Sequence, residues 1–255
     1  MGKAHFIPGF HAVKETLLKN RTGIDQLWIK EGKISARAKE IVHLAEKKGI
    51  PLYFKKGSVL DDILPGIVHQ GIAALSKEFN YSNLEHIIDI AMSSSGYAML
   101  LAVDHITDEG NLGAIIRTAA FFQVQGLILP KKRSAGVTEK VRKRSSGAYI
   151  HLPVARVTNL GNELNVLNKK GFWIIGAAGE SPDSIYHFDW RRDTVLVVGS
   201  EDRGLSRSIR GKCHQLVSIP PLSGMMESLN VSVASGVILS EIFRQRMKKI
   251  NSAHS

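Results

Sequence analysis

The chain has 255 residues, with 34 Lys and Arg against 23 Asp and Glu, for a formal charge of +11. That balance suits a polyanionic partner, nucleic acid first, and no basic amphipathic anchor directs it to a membrane. One cysteine, Cys213, excludes an internal disulfide framework or thiolate metal cluster, the ten histidines show no HExxH-like spacing, and no run approaches the length of a membrane span. The expectation is a cytoplasmic protein without a metal site.

This length accommodates two modest domains. Residues 1 to 77 alternate helical and extended patterns. "GFHAVKETLLK" is amphipathic, "IDQLWIK" is strand-like, "SARAKEIVHLAEKKG" predicts a helix closed by Gly49, "PLYF" is extended and "HQGIAALS" is strand-like. Together they predict a small α/β domain. Residues 78 to 97 are polar, with one short amphipathic turn and a Ser/Gly end, and read as a linker. From residue 98 to 255 short apolar runs alternate with helical segments: "AMLLAVDHI", "GLILP", "YIHLPVARV", "FWIIGAA", "TVLVVGSE" and "QLVSIP". Runs of this kind predict an α/β domain with a parallel sheet covered on both faces, whose ligands sit beyond the carboxyl ends of the strands.

Three of those strand ends carry unusual loops. In "DHITDEGNLGAIIRTAAFF", Asn111 is placed to cap a helix containing Gly113 and Arg117. Arg117, four residues after Gly113, is expected to lie across that bare backbone and point a cation at a phosphate-containing substrate. In "VLVVGSEDRGLS", Gly199 permits close approach of a ligand to the backbone, Glu201 supplies a carboxylate and Gly204 allows a tight turn. The spacing is neither GxGxxG nor the Walker motif. Between Ile219 and Leu229 the chain offers small residues and main-chain polar groups suited to a purine-sized ligand, and "ESLNVSVASG" then opens the last helix with hydroxyls and an amide. Ser228 and Asn230 are expected both to cap that helix and to face the pocket. The run "KKRSAGVTEKVRKR", residues 131 to 144, carries seven Lys or Arg against one Glu and is expected to contact an RNA backbone.

NLGAIIR, VGSEDRG and IPPLSGMMESLNVSVA resemble, in order and spacing, the three signature motifs of the SpoU/TrmH family of RNA ribose 2′-O-methyltransferases, over roughly residues 98 to 246. The resemblance implies a SPOUT-type α/β domain whose carboxyl-terminal segment threads a loop to make a trefoil knot, an exception to the rule that chains do not knot. It implies S-adenosylmethionine bound at Gly199, Ile219 and Leu229, with Ala177 a further candidate, and a homodimer packed through this domain. Asn111 and Arg117 match the motif-one pair, Glu201 the motif-two acid, and Ser228 and Asn230 the motif-three polar pair. The loop "PPLSGMMES" departs from the commoner pattern by one extra residue. The amino-terminal unit, with "PGFHAVKETL" and "HQGIAAL", resembles the substrate-binding domain of the large-subunit ribosomal RNA guanosine methyltransferases, a ribosomal-protein L30e-like fold, which implies ribosomal RNA as partner. The family's motif-one arginine is proposed there as a base. A guanidinium stays protonated in proteins, so the role expected of Arg117 is to bind a phosphate and align the hydroxyl, with Asn111, Glu201, Ser228 and Asn230 orienting it. A tRNA-specific member of the family and a non-catalytic RNA-binding protein are the other readings.

Overall fold

The computed structural model describes residues 5–18, 24–76, 79–221 and 229–251. The chain divides into two compact units, Met1–Asn80 and Tyr81–Ser255.

In the first unit, strands β1 (His5–Pro8), β2 (Ile24–Lys30), β3 (Leu52–Lys55) and β4 (Ile72–Ser76) form a sheet in the order β1-β4-β2-β3, with only the β2–β3 pair parallel. Helix α1 (Phe10–Leu18) contributes Phe10, Val13 and Leu17, and α2 (Ala36–Lys47) contributes Ala38, Ile41 and Ala45, to a core shared with Leu27 and Ile29. Their spacing of three and four residues puts each set on one helix face. Ser35 caps α2 by accepting from Ala38 N at 3.2 Å, and Gly49 follows its end at φ +62°. Helix α3 (Gly57–Ile63) had no sequence expectation; Leu60 and the following Leu64 pack with Ala73 and Trp28 on another patch of this unit.

The second unit is built on six parallel strands: β5 (Met99–Val103), β6 (Gly126–Pro130), β7 (Val154–Val157), β8 (Trp173–Ala177), β9 (Thr194–Val198) and β10 (Gln215–Val217). Their order is β10-β8-β9-β5-β6-β7. Every residue of β5, β6 and β9 is buried, as a sheet covered on both faces requires. Alternate strand residues Leu100, Ala102, Ile128, Val195 and Val197 join one core with helices α4 (Leu84–Met92), α7 (Leu160–Lys169) and α8 (Arg207–Arg210). Helices α5 (Glu109–Phe121), α6 (Glu139–Arg144) and α9 (Val231–Asn251) complete the unit, with α5 packed against both α6 and α9.

The stretch expected as a linker, residues 78 to 97, contains a helix. Its centre is α4, capped by Asn83, with Ile87, Ile88 and Ala91 fully buried. A Cβ at Gly126 would stand 2.2 Å from Ile87 Cγ2, so bare backbone at the start of β6 receives this helix. The polar flanks conceal a nine-residue amphipathic element.

At the far end of the unit, α9 is tied down by Arg246. Its Nε donates to Trp190 O at 3.0 Å, Nη1 to Tyr97 O at 2.8 Å and Nη2 to Arg192 O at 2.8 Å. Burial pulls its pKa down to about 10, so it remains a cation at neutral pH. Arg246→Ala strands these carbonyls, and a loss of about 3 kcal/mol is expected. Thermal unfolding checks this, and a melting temperature within a degree of the parent would show that water replaces the guanidinium.

The strand order changes direction between β5 and β9, so their carboxyl-end loops adjoin at a switch point. Asp104, 1% exposed, fastens them: its N–H donates to Val198 O at 2.8 Å and its Oδ2 accepts from Ser206 N at 2.7 Å.

Candidate active site

Beyond β9 the chain folds back at once. Ser200 N donates to Gly204 O at 3.1 Å and Gly204 N to Ser200 O at 2.8 Å, with Gly204 at φ +60°. A Cβ on Gly199 would fall 2.1 Å from the Gly204 carbonyl carbon. Gly199 was expected to admit a ligand; the group that first needs its bare backbone is the protein's own returning turn. That turn places Glu201 at the strand mouth, facing the starts of α5 and α9.

Three side chains meet there. Asn111 Nδ2 donates to Glu201 Oε1 at 2.7 Å, Asn230 Nδ2 donates to Asn111 Oδ1 at 3.1 Å, and Asn230 Nδ2 also donates to Glu201 Oε1. Asn230 is oriented from behind, because its Oδ1 accepts from Ser232 N at 2.9 Å and Ser232 Oγ at 2.6 Å. It therefore satisfies a first-turn N–H of α9 and turns its amide hydrogens to the carboxylate. Asn111 does not cap α5. Asp108 does, accepting from Asn111 N at 2.7 Å, which places Asn111 in the first turn with its side chain free to reach Glu201. Ser228 lies outside the described residues.

Behind this trio is a cleft lined by Ala177, Ala178 and Gly179 after β8, Val198, Gly199 and Gly204 after β9, Val217, Ser218 and Ile219 after β10, and Leu229, Val231, Ala234 and Ile238 at the start of α9. None of these side chains is ionisable. The walls are aliphatic, and the polarity comes mainly from main-chain groups, which fits a purine nucleoside held by its shape and its hydrogen-bonding edge. The expected cofactor residues Gly199, Ile219 and Leu229, and Ala177 with them, all line it.

Arg117 is directed elsewhere. Six residues beyond Asn111, it lies about 9 Å further along α5, and its Nη1 donates to Ser146 Oγ at 3.3 Å. It was expected to lie over Gly113, but that space belongs to α6: a Cβ on Gly113 would be 2.6 Å from Arg144 Cβ and 3.1 Å from Val141 O. A glycine four residues before an arginine also marks a helix–helix contact, and that is its use here. Ser146 had no sequence signal of its own beyond the "RSSG" turn.

Cys213 is pushed up to about 11 by burial and so carries a thiol, not a thiolate, at neutral pH. Among the described residues no three His, Cys, Asp or Glu side chains stand together to hold a metal, and no helix is long and apolar enough to cross a membrane.

Residues 98–240 match the SpoU rRNA Methylase family, and residues 6–82 match the family described as RNA 2′-O ribose methyltransferase substrate binding. The chain is 40% identical to the 23S rRNA (guanosine-2′-O-)-methyltransferase RlmB of Pseudomonas aeruginosa, over 93% of this chain and 95% of that one. It is 34% identical to the putative TrmH family tRNA/rRNA methyltransferase YacO of Bacillus subtilis, over 96% and 98% of the two chains. The fold is similar to that of the SpoU methyltransferase AviRb from Streptomyces viridochromogenes in complex with AdoMet, with a TM-score of 0.72 and 24% identity over 95% of this chain and 90% of that one.

Proposed function

The chain belongs to the SpoU rRNA methylase family, and from that premise we propose that it transfers a methyl group from S-adenosylmethionine to the ribose 2′-hydroxyl of a guanosine in 23S ribosomal RNA. The observation that carries this reading is the Asn111–Glu201–Asn230 network standing at the rim of an uncharged, aliphatic cleft. The RlmB relative, similar over nearly the whole chain, supports the substrate.

The cleft residues fit the cofactor: Gly199, Ile219 and Leu229 would hold its adenosine among aliphatic walls and main-chain groups. When bound, it supplies a methyl group already activated by a sulfonium. What remains for the protein is to align a weak nucleophile and manage one proton. Asn230 spends both amide hydrogens on Glu201 and Asn111, so the second Nδ2 hydrogen of Asn111 and the second oxygen of Glu201 are the groups left to orient the ribose. Ser228, outside the described residues, enters this reading by its place in the motif alone. Arg117 holds a substrate phosphate and keeps the hydroxyl in line.

The same reading includes a trefoil knot in the second unit, a homodimer and a cytoplasmic location. The knot is supported by the way α9 starts among the loops that follow β8, β9 and β10. The homodimer is supported by Phe121 and Phe243, exposed on the packed pair α5 and α9, with Met247 one turn beyond Phe243.

Ribosomal RNA and tRNA from cells lacking this enzyme, incubated with the protein and labelled S-adenosylmethionine, test the proposal. Label is expected in 23S RNA, in a nucleotide that resists alkaline cleavage on its 3′ side because its 2′-hydroxyl is blocked. Label confined to tRNA would overturn the substrate, and a labelled nucleotide that still cleaves would overturn the reaction.

A further inference from the structure

A second cleft in the same unit, between α5 and α6, is lined by Ala114, Arg117, Thr118, Lys140, Lys143, Arg144 and Ser146. Four of these are cations and none is an acid. Glu109 Oε2 lies 3.8 Å from Lys140 Nζ, an exposed and weak pairing. The cations are assembled by backbone geometry. Gly113 lets α6 settle flush on α5, and Thr138, the α6 cap, donates to Glu109 Oε1 at 2.6 Å and so pins the start of α6 to the first turn of α5. Basic residues in a last helical turn do favour the helix dipole, but only by about 0.3–1 kcal/mol. That accounts for neither Lys140, in the first turn of α6, nor Arg117, on another helix. Four like charges around one concavity repel each other, and a bound anion relieves them.

Ser146 is the second observation. It sits at φ 52°, a left-handed conformation that a residue with a Cβ adopts at a cost of roughly 1–2 kcal/mol, although Gly147 follows immediately at φ 86°. Its hydroxyl accepts from Arg117 Nη1, which fixes one prong of the guanidinium and leaves the rest of the fork for a phosphate.

We propose that Ser146 is a positioning residue that aims Arg117 at its substrate phosphate, and that Lys140, Lys143 and Arg144 extend the same cleft into a seat for the RNA strand beside it. This rests on the RNA methyltransferase reading. Lys140, Lys143 and Arg144 hold the strand, and Ser146 sets the angle of the one cation that also serves alignment.

Two sets of variants of the full chain test it, each with S-adenosylmethionine affinity measured as the check on folding. For the seat, Lys143→Gln combined with Arg144→Gln is expected to reduce the slope of log affinity for transcribed 23S RNA against log salt by about 1.5, while Lys169→Gln with Lys212→Gln is expected to leave it unchanged. Equal slopes in the two pairs would overturn the seat, even if the parent methylates RNA normally. A parent that binds RNA but methylates none would overturn the enzymatic reading and leave the slope comparison standing. For Ser146, Ser146→Gly relieves the backbone and removes the hydroxyl, so single-turnover transfer is expected to fall about tenfold at saturating RNA, as alignment is lost, without loss of thermal stability. Ser146→Asn suits the same backbone conformation and returns an acceptor, and is expected to restore most of the rate. Full activity in the Gly variant, or equal loss in both, would overturn the positioning role.

Discussion

Gly199→Ala is expected to abolish tight S-adenosylmethionine binding. Its Cβ would meet the Gly204 carbonyl carbon at 2.1 Å, the carbonyl oxygen at 2.2 Å and Leu205 N at 2.3 Å. All three are backbone atoms, so no side chain can swing aside. The turn must open, and with it the wall that Gly199 and Gly204 give to the cleft and the placement of Glu201. Overpacking of this kind costs about 3 kcal/mol or more, and the part of that cost relieved only in the free protein weakens binding by about a hundredfold. Gly236→Ala, in α9, is the control. Its Cβ would meet only Thr118 Cγ2, at an ordinary 3.6 Å, and a helical Gly to Ala change is favourable by about 1 kcal/mol. Calorimetric titration of the cofactor into both variants decides the matter: near-parental affinity in Gly199→Ala would mean that this cleft is not where the cofactor binds.

The contrast between these glycines also marks how much the sequence tells. The parallel sheet was legible because a strand buried on both faces must be apolar throughout, and β5, β6 and β9 are. Asn111, Glu201 and Asn230 were legible as polar residues where three strands end, and the structure brings them within hydrogen-bonding distance although 90 and 119 residues separate Asn111 from its partners. What could not be read is which of two neighbouring polar residues takes a local role. Asp108 and Asn111 both suit a helix cap, and only the burial of Leu112 and Ile115 decides that α5 starts three residues early and leaves Asn111 for the site. The same holds for Gly113 and Arg117, whose partners Arg144 and Ser146 are set by how closely α6 lies on α5. The hydroxyls and amide that look misplaced at the start of α9 resolve in two ways. Asn230 caps the helix and turns toward Glu201, while Ser235, fully buried, donates back to Val231 O at 2.7 Å.

Arg117→Lys separates potential from geometry. The substitution keeps the positive charge in the α5/α6 cleft, so any contribution that Arg117 makes to RNA attraction alone should survive nearly intact. What it removes is the planar fork, in which one prong is held by Ser146 Oγ and the others remain for a phosphate. An ammonium has no such fixed geometry, so the ribose attached to that phosphate is no longer held in line with the activated methyl group. Turnover is expected to fall by about 10² or more, the scale on which lost alignment is felt. Cofactor affinity should stay at the parental value, because Arg117 does not line the aliphatic cleft. RNA affinity at a single salt concentration should change by less than about threefold, since the number of neutralised phosphates is unchanged. Single-turnover methyl transfer at saturating RNA, with both affinities measured separately, distinguishes the roles. Near-parental transfer would reduce Arg117 to one more cation in the cleft. A collapse confined to transfer would place it among the groups that hold the reacting nucleotide, and would make the angle set by Ser146 part of the chemistry.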